Sequence, residues 1–312
     1  MPGSAHEVTV IATGLAAPEG PVVGPGGWIL TVCSRTPETG PLPTAGGDIV
    51  ATHPDRPNRT RFVCSTSTAD VVGVPAGLAF GPDAALYVCD SGRRAVLRMA
   101  TTGAAEDFLT THEGERFNGP NDLAFDADGN MYFTDPYGSS VDHPVARVYG
   151  WNWKSGQLHL IDHRMAFSNG IALRGDGLYV AETLHRRVWR YRLRGDGSAS
   201  GRELFCTIGA SGALGPDGLC FDADGHLYVA SFGGRCIEVF DVDGRPVDRL
   251  LVPGVRPTNV CFGGPGHDAL FVTMDDTLEL VQLQVGQRGG VLPHCPSQVV
   301  DHPFGAALSH LD

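Results

Sequence analysis

The chain has 312 residues and a formal net charge of −12, with 42 glycines, 22 prolines and only 19% charged residues. The excess of negative charge argues against binding to nucleic acid or to an anionic membrane surface. No apolar run approaches the roughly 18–20 residues of a membrane-spanning helix, and the first residues lack the basic and apolar segments of a secretory signal. The composition favours a turn-rich, all-β protein. As partner we expect a small-molecule substrate, with neither nucleic acid nor a membrane.

The first predicted strand is the alternating segment EVTVIAT, residues 7–13. It lies just before the first copy of a repeated phrase. In each later repeat, the segment at this position is the outer strand of the preceding unit. Because no unit precedes it, we expect this segment to pair with the last unit and so to close a ring of sheets.

The repeated phrase consists of polar residues, an apolar run, a tight turn and a second apolar run. Its fullest copy is RFNGPNDLAFDADGNMYFTDPYG, which starts at Arg116. This pattern is typical of two antiparallel strands joined by a hairpin. Six copies are present, and one residue of each, here termed the ring position, starts the first strand: Glu19, Ala76, Asn121, Asn169, Asp217 and Thr258.

Successive ring positions are separated by 57, 45, 48, 48 and 41 residues, and strand-rich repeats of about 40–50 residues are typical of the blades of a β-propeller. We therefore predict an all-β, six-bladed β-propeller in which segment 7–13 closes the last blade, and we expect residues 1–312 to form a single domain. The innermost strand of each blade borders the central channel. The six ring positions should consequently meet at one end of that channel.

Four ring positions carry side-chain oxygen atoms: Glu19, Asn121, Asn169 and Asp217. Carboxylate and amide oxygens suit hard cations, and two carboxylates balance the charge of a divalent ion. We predict that these four residues bind one divalent cation, Ca²⁺ first, with Mg²⁺, Mn²⁺ or Zn²⁺ as alternatives. The competing interpretation is a water-filled channel in which the same side chains bind one another without a metal.

Eight cysteines are scattered along the chain and none forms a CxxC motif. Several lie inside apolar strand patterns, where a thiol behaves as a small hydrophobic group. We interpret them as reduced core thiols of a cytoplasmic protein.

Two loops are longer than ordinary hairpin connections, at residues 33–47 and 135–147. Each follows the second strand of a blade, so both should flank the ring positions as walls of a pocket. On the same face the sequence offers four candidate substrate-binding residues: Arg116, Asn118, His143 and His185.

The phrases PEGPV, RFNGPND, SNGIAL and PDGLCFDADGHLYVA resemble the senescence-marker-protein/gluconolactonase/luciferin-regenerating-enzyme family, in a form similar to bacterial gluconolactonases. The resemblance covers all six repeats and extends to diisopropyl fluorophosphatase. It implies a six-bladed propeller with one catalytic divalent ion, often Ca²⁺, whose ligands fall on the same four ring positions. Cys261 stands where fluorophosphatase-like proteins carry a histidine at a second calcium, which argues against a second calcium here.

These observations predict a metal-dependent lactonase. The ion would polarise the ester carbonyl, and a carboxylate would take a proton from the attacking water, with Asp217 as the first choice of base and Glu19 as the second. Two alternatives stay open. One is hydrolysis of a phosphotriester or fluorophosphonate at the same metal, and the other is a non-hydrolytic role in binding or in a biosynthetic rearrangement.

Overall fold

A computed structural model describes residues 6–35, 46–100, 103–296, 302, 304–305 and 308. The described strands form six four-stranded antiparallel sheets and one short two-stranded hairpin. Each sheet is one blade, and its strands follow one another outward from the channel in chain order. The first strand of the chain, β1 (Val8–Thr13), is the exception, because it belongs to the last blade.

The strands of the first three blades are as follows. Blade 1 contains β2 (Pro18–Val23), β3 (Ile29–Cys33), β4 (Asp48–Thr52) and β5 (Arg61–Ser65), with a short 3-10 turn at Pro25–Gly27. Blade 2 contains β6 (Pro75–Phe80), β7 (Leu86–Asp90), β8 (Ala95–Met99) and β9 (Glu106–Leu109). The hairpin β10 (Thr111–His112) and β11 (Glu115–Arg116) precedes blade 3, which contains β12 (Leu123–Phe125), β13 (Met131–Asp135), β14 (Ala146–Trp151) and β15 (Leu158–Met165).

The remaining blades repeat this arrangement. Blade 4 contains β16 (Ser168–Arg174), β17 (Gly177–Glu182), β18 (Arg187–Leu193) and β19 (Ala199–Thr207). Blade 5 contains β20 (Gly215–Phe221), β21 (Leu227–Phe232), β22 (Cys236–Phe240) and β23 (Pro246–Leu251). Blade 6 contains β24 (Pro257–Gly263), β25 (Ala269–Met274) and β26 (Glu279–Gln284), with β1 as its outer strand.

The apolar core is divided among the interfaces between neighbouring blades. Its buried side chains form six clusters, each built from two adjacent sheets. Between blades 1 and 2, for example, Val32 and Ile49 share a cluster with Leu78 and Phe80. Every blade thus needs a neighbour on both faces, and the sheets are stable only as a ring.

The N-terminal strand closes that ring. β1 pairs antiparallel with β26, from Val8 opposite Leu283 to Thr13 opposite Glu279, with one bulge between Val10 and Ala12. Both the predicted six-bladed fold and the predicted pairing of segment 7–13 with the last blade are confirmed.

The segment that follows β26 crosses the channel at the end opposite the ring positions. Gly289 bridges Asp222, and the Gly290 N–H donates to the carbonyl of Phe221 at 2.9 Å. The His294 ring then lies 3.0 Å from the carbonyl of Asp126. The stretch SQVV at 297–300, a candidate strand by sequence, lies outside the described residues.

All eight cysteines are free thiols, and seven of them are buried. This agrees with the prediction of reduced core cysteines, whereas the cytoplasmic location stays a prediction. Among the described residues, no helix is long and apolar enough to cross a membrane.

Truncation of the closing strand should weaken the whole ring. Ile11 is 1% exposed and packs in the cluster between blades 6 and 1. We expect Ile11→Ala to lower the free energy of unfolding by about 2–4 kcal/mol, as for other buried aliphatic truncations. Val8→Ala, in the same strand but 37% exposed, is the control and should cost less than about 1 kcal/mol. Equal costs for the two variants in urea denaturation would contradict this role of the strand.

Candidate functional site

A break in strand pairing aims the ring positions into the channel. In blades 1, 2, 4, 5 and 6, the register between the first two strands shifts immediately at or after the ring position. In blade 3 the pairing of β12 starts at Leu123, after Asn121. A bulge lets two consecutive residues point to the same side of a strand. Each inner strand therefore presents its ring position and the next residue to the channel.

The carboxyl groups of Glu19 and Asp217 lie near each other at the ring positions, and that of Asp122 lies just below them. Asp217 and Asp122 are each 7% exposed, and Glu19 is half-buried. Burial first, and then the Asp122 carboxyl, raise the pKa of Glu19 well above its ordinary value. Burial, followed by Glu19 and Asp122, likewise raises the pKa of Asp217. No Lys, Arg or His side chain is among the groups that act most strongly on either residue in the described part of the chain.

Asn169 lies against Asp217 and is fixed by a threonine. Its Nδ2 donates to Thr183 Oγ1 at 3.1 Å, and its side chain also hydrogen-bonds Asp217. The Thr183 hydroxyl in turn donates to the carbonyl of Pro216 at 2.8 Å, which joins blade 4 to blade 5. With the amide nitrogen engaged, the Asn169 side-chain oxygen is the atom left for a ligand.

Hydrogen bonds between neighbouring inner strands hold the ring positions in place. The carbonyl of Asn121 accepts from the Gly77 N–H at 2.6 Å, and the Asn121 N–H donates to the Thr134 carbonyl at 2.9 Å. The Thr134 hydroxyl donates to the Asn169 carbonyl at 2.8 Å. At the closing interface, Thr258 Oγ1 donates to the Pro18 carbonyl at 2.7 Å.

Two residues that the sequence analysis did not single out complete the cluster, Asp122 and Asn259. The Asn259 side chain hydrogen-bonds both Glu19 and Asp122. Its Oδ1 accepts from the Val260 N–H at 2.8 Å, so its NH2 group is the donor to the carboxyl groups. Burial raises the pKa of Asp122 to about 7, against hydrogen bonds from the N–H groups of Ile171 and Leu123.

Asp122 and Asn259 form a layer directly below the ring positions. In the other four blades the corresponding residue is glycine, and a Cβ atom there would lie only 2.0–2.4 Å from a neighbouring oxygen: Gly20, Gly77, Gly170 and Gly218. The side chains in this layer therefore come from two opposite blades, Asp122 from blade 3 and Asn259 from blade 6. A signal for it exists in the sequence, because the residue after each ring position is glycine in four repeats and Asp or Asn in the other two.

The loop between β13 and β14 packs against the segment that leads to Asn169. The Ser139 hydroxyl donates to the Met165 carbonyl at 2.7 Å, and the Tyr137 ring lies 6.2 Å from that of Phe167, just before Asn169. Tyr137 is 42% exposed. It offers an apolar surface beside the ring, as a pocket wall would. The loop at 33–47 falls largely outside the described residues.

Of the four candidate substrate-binding residues, two precede Asn121 along the chain. Arg116 is exposed, and its guanidinium donates to the Arg93 carbonyl at 2.8 Å. The Asn118 N–H donates to Asp135 at 2.9 Å, which fixes the segment that leads to Asn121. Their contact with a substrate stays a prediction.

The two histidines occupy different surroundings. His143 is exposed and lines a shallow cleft with Arg147 and His163, toward the outer strand of blade 3. His185 Nδ1 lies 3.0 Å from the buried Glu182 Oε1, and it also contacts Arg187. The structure brings Glu19, Asn169 and Asp217 together. The described contacts of His143 and His185 are with residues outside this group.

Glu182 organises the network that holds His185. It is 1% exposed and accepts from Arg187 Nε at 2.6 Å, Trp189 Nε1 at 2.7 Å and the Ala166 N–H at 2.7 Å. Burial acts to raise the pKa of this carboxyl, but the hydrogen bonds, that of Arg187 first, outweigh it and lower the pKa to about 2.

This lowered pKa predicts a loss of stability in acid. A carboxyl with a folded pKa of about 2, against 4.5 as the ordinary value, stabilises the fold above pH 4.5 and loses that effect as the pH falls toward 2. The stability difference between the wild type and Glu182→Gln should shrink over this range by about 3 kcal/mol. Asp243→Asn, at an exposed pair with Arg245, is the control and should show little change. A difference that stays constant from pH 6 to pH 2 would contradict the assignment.

The fold and the cluster define a six-bladed propeller with oxygen-rich side chains at one end of its channel. The sequence pattern described as "SMP-30/Gluconolactonase/LRE-like region" matches residues 45–275. The chain belongs to this family, as the resemblance predicted.

Several relatives are about one third identical to this chain over the aligned residues. It is 32% identical over 250 residues to the diisopropyl-fluorophosphatase of Loligo vulgaris, covering 75% of this chain and 78% of that protein. It is 33% identical over 217 residues to the gluconolactonase of Zymomonas mobilis, covering 63% of this chain and 60% of that protein. It is 31% identical over 236 residues to lactonase drp35 of Staphylococcus epidermidis, covering 68% of each chain.

Solved structures share the fold at lower identity. A gluconolactonase from Xanthomonas campestris superposes with a TM-score of 0.74 and 23% identity, over 89% of both chains. A calcium-binding protein, regucalcin, from Agrobacterium tumefaciens superposes with a TM-score of 0.73 and 19% identity, over 93% of this chain and 98% of that one. At these identities the likeness supports the fold alone.

Proposed function

We propose that this protein hydrolyses lactones at a divalent cation held by Glu19, Asn121, Asn169 and Asp217. The observation that carries the proposal is the convergence of two carboxyl groups, the half-buried Glu19 and the buried Asp217, beside the amide of Asn169. The relatives named gluconolactonase and lactonase supply the reaction class.

The residues present fit a hard divalent cation. Glu19 and Asp217 repel each other in a setting that raises both pKa values, and no cationic side chain is among the strongest influences on either group in the described part of the chain. Asn169 adds a neutral oxygen, and Asn121 holds the same repeat position in the neighbouring blade. Oxygen donors of this kind suit Ca²⁺ first, then Mg²⁺ or Mn²⁺, and suit Zn²⁺ less well.

When bound, the cation would polarise the lactone carbonyl and offset the negative charge that develops on its oxygen. The chain's own groups would do the rest. Asp217 would accept the proton of the attacking water through a carboxylate oxygen that does not bind the cation. Glu19, held by Asn259, is the second candidate for this base. Tyr137 and Asn118 would contact the body of the substrate at the ring end of the channel.

A second reaction has its own support. The fluorophosphatase of Loligo vulgaris is 32% identical and is matched over 78% of its length. The same set of oxygen donors would serve attack on phosphorus as well as attack on a carbonyl carbon. The substrate therefore has to be decided by assay.

A substrate panel separates these reactions. Aldonolactones, alkyl lactones and a fluorophosphonate would each be assayed with purified protein, with EDTA, and after Ca²⁺ is added back. We expect lactone opening well above the buffer rate, lost with EDTA and restored by Ca²⁺. Turnover of the fluorophosphonate alone would favour the second reaction. Turnover of neither class, or lactone opening unaffected by EDTA, would contradict the proposal.

Substitution of Asp217 separates metal binding from proton transfer. Asp217→Asn keeps an oxygen that can coordinate a cation but removes the group that takes a proton. If Asp217 is the base, kcat at saturating metal should stay lower by roughly 10²–10⁴-fold. Asn169→Ala removes a ligand that cannot act as a base, so added metal should restore at least part of its activity. If metal rescues both variants equally, the role of base moves to Glu19.

A further inference from the structure

The channel contains a second compartment below the candidate metal site. It is a cavity of about 550 Å³ bordered by the inner strands of all six blades. At its ring end it meets the layer formed by Asp122 and Asn259, and among the described residues that line it neither Glu19 nor Asp217 is present. The cavity thus lies below Glu19 and Asp217, and Asp122 and Asn259 form the boundary between them.

The wall of this cavity contains a complete layer of small apolar side chains. They are the third residues after the six ring positions: Val22, Ala79, Ala124, Ala172, Cys220 and Cys261. Ala79 and Ala124 are half-buried and alternate along their strands with residues such as Leu78 and Phe80, which pack in the core between blades and also border the cavity. Because every blade contributes a small residue at this level, the channel is left wide and apolar.

The far end of the cavity is bordered by the segment that follows β26. Val291, Leu292 and Cys295 line it, and the backbone of this segment is tied to blades 5 and 3 by the bonds of Gly290 and His294. A chain segment thus crosses the end of the propeller that is opposite the ring positions.

Charged groups occur only at the ends of this cavity, and they already have partners. The Asp222 carboxyl accepts from the Gly225 and His226 N–H groups at 2.7 and 2.8 Å. Asp126 accepts from Asn130, and Arg174 donates to the Asp224 carbonyl. Between these ends an ion would lose its hydration beside apolar walls, and the same walls offer water few hydrogen-bond partners.

We propose that this lower channel is a binding site for a neutral, apolar small molecule, separate from the candidate metal site. Its volume falls in the range of pockets that enclose drug-sized ligands. This inference does not depend on the reaction proposed for the ring end.

The test uses the full chain and the neutral fluorophore 1-N-phenylnaphthylamine. We expect saturable binding with one site per chain and an affinity that falls roughly tenfold or more in Ala79→Phe and Ala124→Phe, whose rings would occupy the cavity. Val247→Phe adds the same ring on the exposed outer strand of blade 5 and should bind as the wild type does. No saturable binding to the wild type, or equal affinity in all four proteins, would overturn the proposal.

A second measurement covers the case in which the filled variants do not fold. Crystals of the wild-type chain would be soaked with iodobenzene and the iodine located by anomalous scattering. An iodine peak between Ala79, Ala124 and Cys261 supports the proposal. Ordered water throughout the cavity, or iodine only on the outer surface, overturns it.

Discussion

Closure of the six sheets into a ring is the constraint on which the rest of the molecule depends. The candidate site has no structural element of its own, since Glu19 comes from blade 1, Asn169 from blade 4, Asp217 from blade 5 and Asn259 from blade 6. These groups meet only because β1 pairs with β26 and removes the open edge of the last blade. Threonine hydroxyls then tie one inner strand to the next, so that ring closure and site geometry are coupled.

The ring brings together groups that repel one another. Buried carboxyl groups without a cationic neighbour weaken a fold, and proteins keep such arrangements mostly where they have a function. Here Asn259 partly offsets the repulsion by hydrogen-bonding Glu19 and Asp122. A divalent cation would offset it far more completely. The channel is therefore divided into a polar end suited to a cation and an apolar end suited to an uncharged molecule.

Much of this arrangement follows from the sequence because the repeat places one residue at the start of each inner strand. That register predicted the six blades, the closing strand and the meeting of Glu19, Asn169 and Asp217. It did not predict Asp122 and Asn259, because simple alternation turns the residue after a ring position away from the channel, and only the bulge turns it back. The surroundings of His143 and His185 could not be predicted either, since they depend on loop paths and on contacts with outer strands that the repeat does not encode.

The most direct test of the account is to locate a divalent ion in crystals grown with Ca²⁺, with Mn²⁺ substituted to give an anomalous signal. The account predicts one ion at the ring end of the channel, with side-chain oxygens of Glu19, Asn121, Asn169 and Asp217 about 2.3–2.6 Å from the calcium. An ordered chain of water at that place in the presence of saturating Ca²⁺, or an ion bound only elsewhere, would contradict it.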